Sequence, residues 1–109
     1  MNELPRKNLI VLIQKSGNTL CRDPARCEGL LRDLSPGHPR EIYLLVAALR
    51  QQVGVDLLSL PPGVSLEHHL HALSRRIYEN MGICPQFAWW AVVSWAIALG
   101  VLVRESDVK

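Results

Sequence analysis

Between positions 83 and 103 the chain runs 21 residues without a charged side chain. A helix that is apolar on every side has to be surrounded, by lipid or by other helices. The stretch reaches the length of a membrane span, so a tail anchored in a membrane through residues 83–103 is one reading. The other is the buried central helix of a bundle. Pro85 and Gln86 give the N-terminal flank no strong charge of the kind that marks a membrane boundary. Amphipathic segments elsewhere need a surface to pack on, and this helix supplies it. We therefore expect Pro85 to open a core helix reaching about Val103, with Trp95 buried and the Ser94 hydroxyl bonded to the Trp90 carbonyl one turn back.

The rest of the chain divides into helices at its prolines and glycines. Residues 3–16 read as a first helix, with Asn2 as cap, Pro5 in the first turn and Gly17 as stop. The run at residues 9–13 also fits a buried strand, but no second strand candidate exists to pair with it. Asp23 and Pro24 open a second helix as cap and first residue, with Cys27, Leu30, Leu31 and Leu34 on one face. Pro39 opens a third, striped by Ile42, Leu45, Val46, Leu49 and Val53, with Gly54 as its C-terminal cap and a short helical turn over residues 55–60. Pro61 and Pro62 close that turn. Ser65 caps a fifth helix whose inner face is Leu66, Leu70, Leu73, Ile77 and Met81, and Gly82 ends it. This gives an all-α fold, a compact bundle of six helices over residues 1–104, followed by a frayed polar tail at residues 105–109.

Composition narrows the function. The chain has 109 residues, 49% of them hydrophobic and 20% charged, which suits one globular domain with its own core. Twelve basic and ten acidic residues leave a formal charge of +2, with no basic stripe of the kind nucleic acid selects. Cys21, Cys27 and Cys84 are an odd set without a secretory leader, which points to free thiols and a cytoplasmic setting. Cys27 falls on an apolar stripe, whereas Cys21 and Cys84 lie near helix starts, where a thiol pKa can fall. No base or orienting group is spaced to activate a nucleophile, and there is no glycine-rich phosphate loop, so no catalytic residue is expected. His68, His69 and His71 lack partners at metal-ligand spacing and read as a solvated face, so neither metal nor cofactor is expected.

What is left is the charged surface. Asp33, Arg40, Glu41, Arg50, Arg75 and Arg76 lie off the apolar stripes, which makes them available to a protein partner at little cost to folding. The competing non-membrane reading is a helix-turn-helix DNA reader built on the turn between the second and third helices. Its proline-rich loop, and a third helix offering only Arg40 and Arg50 as basic readers, count against it.

Three stretches carry a family resemblance. They are residues 20–34, with Cys21-Arg22-Asp23-Pro24 and Leu30-Leu31-Arg32-Asp33-Leu34; residues 39–49, beginning Pro39-Arg40-Glu41-Ile42-Tyr43; and residues 90–100, with Trp90-Ala91-Val92-Val93-Ser94-Trp95. Together they resemble a small bacterial helical module joined to trypsin-like proteases, protein kinases and other effectors. That module is similar to bacterial death-fold domains of the caspase-recruitment (CARD-like) kind found in antiphage systems, including gasdermin operons. The resemblance covers residues 18–102. It implies a six-helix death fold and a non-enzymatic adaptor that self-associates or binds like domains to bring in an effector such as a protease. It supplies no catalytic residue and implies protein partners rather than nucleic acid or membrane.

Overall fold

A computed structural model describes residues 1–108. The order is α1 (Leu4–Ser16), a 3-10 turn (Asn18–Arg22), α2 (Pro24–Leu34), α3 (Pro39–Arg50), α4 (Val53–Leu57), α5 (Leu66–Met81), α6 (Pro85–Ala98) and a second 3-10 turn (Glu105–Asp107). There is no strand among the described residues, and the run at residues 9–13 lies inside α1, where Leu9, Leu12 and Ile13 are buried.

The local signals act as their chemistry requires. The Asp23 carboxylate accepts from the Arg26 backbone N–H at 3.2 Å and the Ser65 hydroxyl from that of His68 at 3.1 Å. Asn2 is not the cap of α1: Glu3 holds that position without a side-chain cap bond, and the Asn2 side-chain oxygen accepts from the Leu4 N–H at 2.9 Å from one residue outside it. Gly82 ends α5 in the left-handed region at φ 66°.

α6 is the axis of the bundle. α1, α3, α4 and α5 all pack on it, and Ala91, Val92, Val93, Trp95 and Ala96 are wholly inaccessible. Trp95 donates its indole N–H to the Leu45 carbonyl at 2.9 Å, and the Ser94 hydroxyl donates to the Trp90 carbonyl at 2.7 Å. Burial of an indole without that partner would be costly.

α6 is shorter than its apolar run. It stops at Ala98 because Gly100, at φ 78°, turns the chain. The Gly100 N–H bonds to the Ile97 carbonyl at 3.1 Å and the Val101 N–H to that of Ala96 at 2.9 Å, the paired closure of a Schellman motif. Leu102 then folds back into the core. Fourteen residues rise only about 21 Å against a hydrocarbon thickness of ~30 Å, and no helix of the described residues is long and apolar enough to cross a membrane.

Two boundaries differ from the sequence expectation. Gly54 does not cap α3. The helix ends at Arg50, Gln52 takes the left-handed conformation (φ 65°), and Gly54 lies inside α4. A Cβ there would stand 3.0 Å from Cys21 Sγ and 3.2 Å from Leu49 Cδ2, so glycine permits the close approach of α4 to the 3-10 turn. The tail is not frayed at its start either: Glu105 Oε1 sits 2.9 Å from the Arg6 guanidinium. Lys109 lies outside the described residues.

That contact belongs to a buried polar cluster. Arg6, 8% exposed, donates from Nε to Ser94 Oγ at 2.8 Å, from one terminal nitrogen to Glu3 Oε1 at 3.0 Å and from the other to Glu105. Its guanidinium lies 5.3 Å from the centroid of a Trp90 ring, and the Trp90 indole N–H donates to Glu3 Oε2 at 3.1 Å. A single cation thus joins α1, α6 and the C-terminal turn.

Candidate functional site

The six charged residues singled out from sequence do not form one patch. Asp33 is exposed in the last turn of α2, and its side chain makes no hydrogen bond or ion pair among the described residues. Arg50 is exposed at the end of α3, equally unpaired, and borders two clefts. Arg40 is exposed one residue into α3, its guanidinium 5.2 Å from the Phe87 ring centroid. Arg75 is exposed on α5 in a shallow cleft with His71, Tyr78 and Pro85.

The other two residues serve the fold. Glu41 is only 6% exposed, contrary to its assignment to the wet face. α3 is covered on more than one side, since Leu44, Ala47 and Ala48 are buried alongside the Ile42–Leu45–Leu49 stripe, and Glu41 falls under that second cover. Its Oε2 accepts from the Asn2 backbone N–H at 3.0 Å. Burial by itself would raise the Glu41 carboxyl. The N–H groups of Asn2 and of Glu41 itself, with the charges of Arg40 and His38, outweigh burial and hold it below the ordinary carboxylate value. Arg76 is half-buried, ion-paired with Asp56 and donating to the Gln51 carbonyl at 3.0 Å. It fastens α5 to the turn between α3 and α4.

The histidines are likewise not one solvated face. His69 is buried and its Nε2 lies 2.9 Å from the Asp56 carbonyl. His71 stacks on Trp89 with ring centroids 4.4 Å apart. No group of three His, Cys, Asp or Glu among the described residues could hold a metal ion. Cys27 is buried in the core, where desolvation, reinforced by Cys21, Asp23 and Glu28, pushes its thiol up to about 12. Cys21 also departs from expectation. It is buried beneath the 3-10 turn, and desolvation raises its thiol despite the nearby Arg22. Neither thiol is poised as a nucleophile.

The surface around Arg50 is the most structured. On one side Tyr43, 57% exposed, lies in a cleft with Glu28, Arg32, Met81 and Arg50 itself. Glu28 and Arg32 pair across one turn of α2 at 2.7 Å. On the other side Arg50 and Arg22 line a second cleft together with Leu49 and Val55. No family model, curated protein or solved structure matches this chain. Its architecture is that of a compact all-helical bundle of six helices, consistent with a death-fold type of topology.

Two features of this surface escaped the sequence reading. Leu34, assigned to the inner stripe of α2, is 46% exposed, and Leu58 beyond α4 is equally so. Leu34 is the last residue of α2, where the stripe has already run past the edge of the core. Arg22 was legible only as a charge beside a cap. Its pairing with Arg50 needs the packing of the 3-10 turn against the α3–α4 turn.

Proposed function

We propose that this domain is a non-enzymatic protein–protein interaction adaptor of the CARD-like kind. It self-associates or binds like domains and so recruits an effector, such as a protease, in bacterial defence signalling. One observation carries the reading. Four charges of both signs, Asp33, Arg40, Arg50 and Arg75, are exposed on helices held by a filled core, and Tyr43 stands exposed beside Arg50. Tyrosine and arginine are the side chains that anchor protein interfaces, and rigid presentation of them lowers the ordering cost of binding. The resemblance of residues 18–102 to effector-associated modules supplies the class of partner.

The test is charge reversal at each of the four positions. Arg40→Glu and Arg75→Glu should leave the melting temperature within a few degrees, because exposed substitutions change stability by only ~0.5 kcal/mol. At least one of the four reversals should abolish self-association, followed by light scattering, or capture of a CARD-like partner in a pull-down. Four reversals that all leave association and capture unchanged would refute the charged-interface adaptor.

A further inference from the structure

We infer that two copies of this chain associate head to tail, the tip formed by Asp33 and Leu34 of one copy seating in the groove between Arg22 and Arg50 of the next. This rests on the self-association reading above and assigns its two surfaces.

The groove is made where the 3-10 turn meets the end of α3 and the start of α4. Two adjoining clefts share Cys21, Arg22 and Val55. Arg22 and Val55 line both clefts, Arg50 lines one of them and Leu58 the other. No carboxylate lines either cleft. The nearest acid in sequence, Asp23, turns its carboxylate to the Arg26 N–H as the cap of α2. Neither arginine makes a hydrogen bond or ion pair among the described residues. Two uncompensated cations beside a half-exposed leucine call for an occupant with a carboxylate next to an apolar side chain.

The exposed end of α2 presents that chemistry. Asp33 and Leu34 are adjacent, exposed and at the last turn of α2. The neighbouring Arg32 is already neutralised by Glu28, so Asp33 is the uncompensated charge of the pair. The tip is fixed from behind. Asn8 Nδ2 donates to the Leu34 carbonyl at 3.2 Å and to Ser35 Oγ at 2.6 Å, and Ser35 is wholly buried. A tip held this way keeps its geometry on docking.

Arg22 precedes α2 and Asp33 lies in its last turn, so the two surfaces are separated by about 16 Å of helix. One molecule cannot close the contact on itself. A contact between two different surfaces of the same chain is heterologous and propagates into rings or open filaments.

The experiment uses Arg50→Glu and Asp33→Arg, both at exposed positions, with circular dichroism to establish that each variant stays folded. Sedimentation velocity follows the wild type, each variant, Arg75→Glu and an equimolar mixture of the first two. The wild type should associate, and each variant should do so at least about tenfold more weakly, because like charges then face each other. In the mixture, the intact groove of the Asp33→Arg chain accepts the intact tip of the Arg50→Glu chain, so the association that each variant loses alone should return. A mixture that stays monomeric, or an Arg50→Glu chain that associates like wild type, overturns this contact. If Arg75→Glu alone breaks association, the adaptor reading stands and this contact falls. A wild type that is monomeric up to about 1 mM overturns the contact and self-association together.

Discussion

Replacing Arg6 by methionine should destabilise the domain by about 2 kcal/mol, although Arg6 is a charged residue in the first turn of the first helix. Methionine keeps the apolar stem and removes the guanidinium. Four hydrogen bonds vanish, to Ser94 at 2.8 Å, Glu105 at 2.9 Å, Glu3 at 3.0 Å and, more weakly, the Trp90 carbonyl at 3.4 Å. The two carboxylates are about half exposed, 50% for Glu3 and 48% for Glu105, so water replaces the cation and each ion pair is worth only ~0–1 kcal/mol. Ser94 is wholly buried. Its hydroxyl still donates to Trp90, but its lone pair loses the Arg6 donor, at ~1–2 kcal/mol. The contact with the Trp90 ring adds about 0.5–1 kcal/mol. Relief of the guanidinium from its half-dry site offsets part of the total. For a domain of this size, ~2 kcal/mol lowers the melting temperature by roughly 8 °C. Urea unfolding followed by far-ultraviolet circular dichroism measures the loss, and a cycle with Ser94→Ala should show a coupling of about 1 kcal/mol between the two side chains. A change below ~0.5 kcal/mol with no coupling would refute the anchoring of α1 to α6 through this cation.

Trp95→Ala removes the largest fully buried side chain and its hydrogen bond to the Leu45 carbonyl, so the urea midpoint should fall by the equivalent of about 3–5 kcal/mol, a large share of the ~5–15 kcal/mol of a whole domain. An unchanged midpoint would make α6 peripheral. Of the three thiols, Cys84 is exposed and should react with a disulfide reagent in the folded state, while Cys21 and Cys27 should react only on unfolding. Cys27 ionises near 9.0 when unfolded and about 12 when folded, so stability should decline as pH rises from the first value toward the second; Cys27→Ala should remove that slope. Glu41 has the opposite sign. Its folded carboxyl lies below 4.5, so its contribution is present above that pH and is lost as pH falls through the folded value. Glu41→Gln should flatten the acid limb of an unfolding curve recorded against pH, and an unaltered limb would show that the Asn2 contact is not formed.

Most helix boundaries were legible because they depend on local chemistry: Asp23 and Ser65 as caps, prolines at the start of α2, α3 and α6, and Gly82 past the end of α5. The central position of α6 was legible because nothing else explains a helix without a wet face. Errors collected where a residue's neighbour comes from far along the chain. Glu41 and His69 border their apolar stripes, and only the second layer packed over α3, or the α4 turn beside α5, decides which side of the boundary they fall on. A signal was present for Arg6, which shares a face with Leu9 and Ile13 at offsets of three and seven. Ser94, buried in the middle of α6, also called for a donor. The charged surface was the least legible part, since exposure of Arg50 and Asp33 follows from periodicity but the sharing of one cleft by Arg50 and Arg22 does not.

The sheathing of α6 has a consequence for how the chain is made. Each amphipathic helix that packs on α6 precedes it, and the contact between Arg6 and Ser94 joins residues 88 positions apart. A ribosome delivers the N-terminal segments first. Until Trp95 has cleared the exit tunnel, Leu9, Leu45 and Ile77 have no common surface to bury against, and the nascent segments stay open to chaperones and proteases. Folding is then withheld until the central helix arrives. A destabilising change in α6 exposes α1, α3, α4 and α5 together rather than loosening one corner.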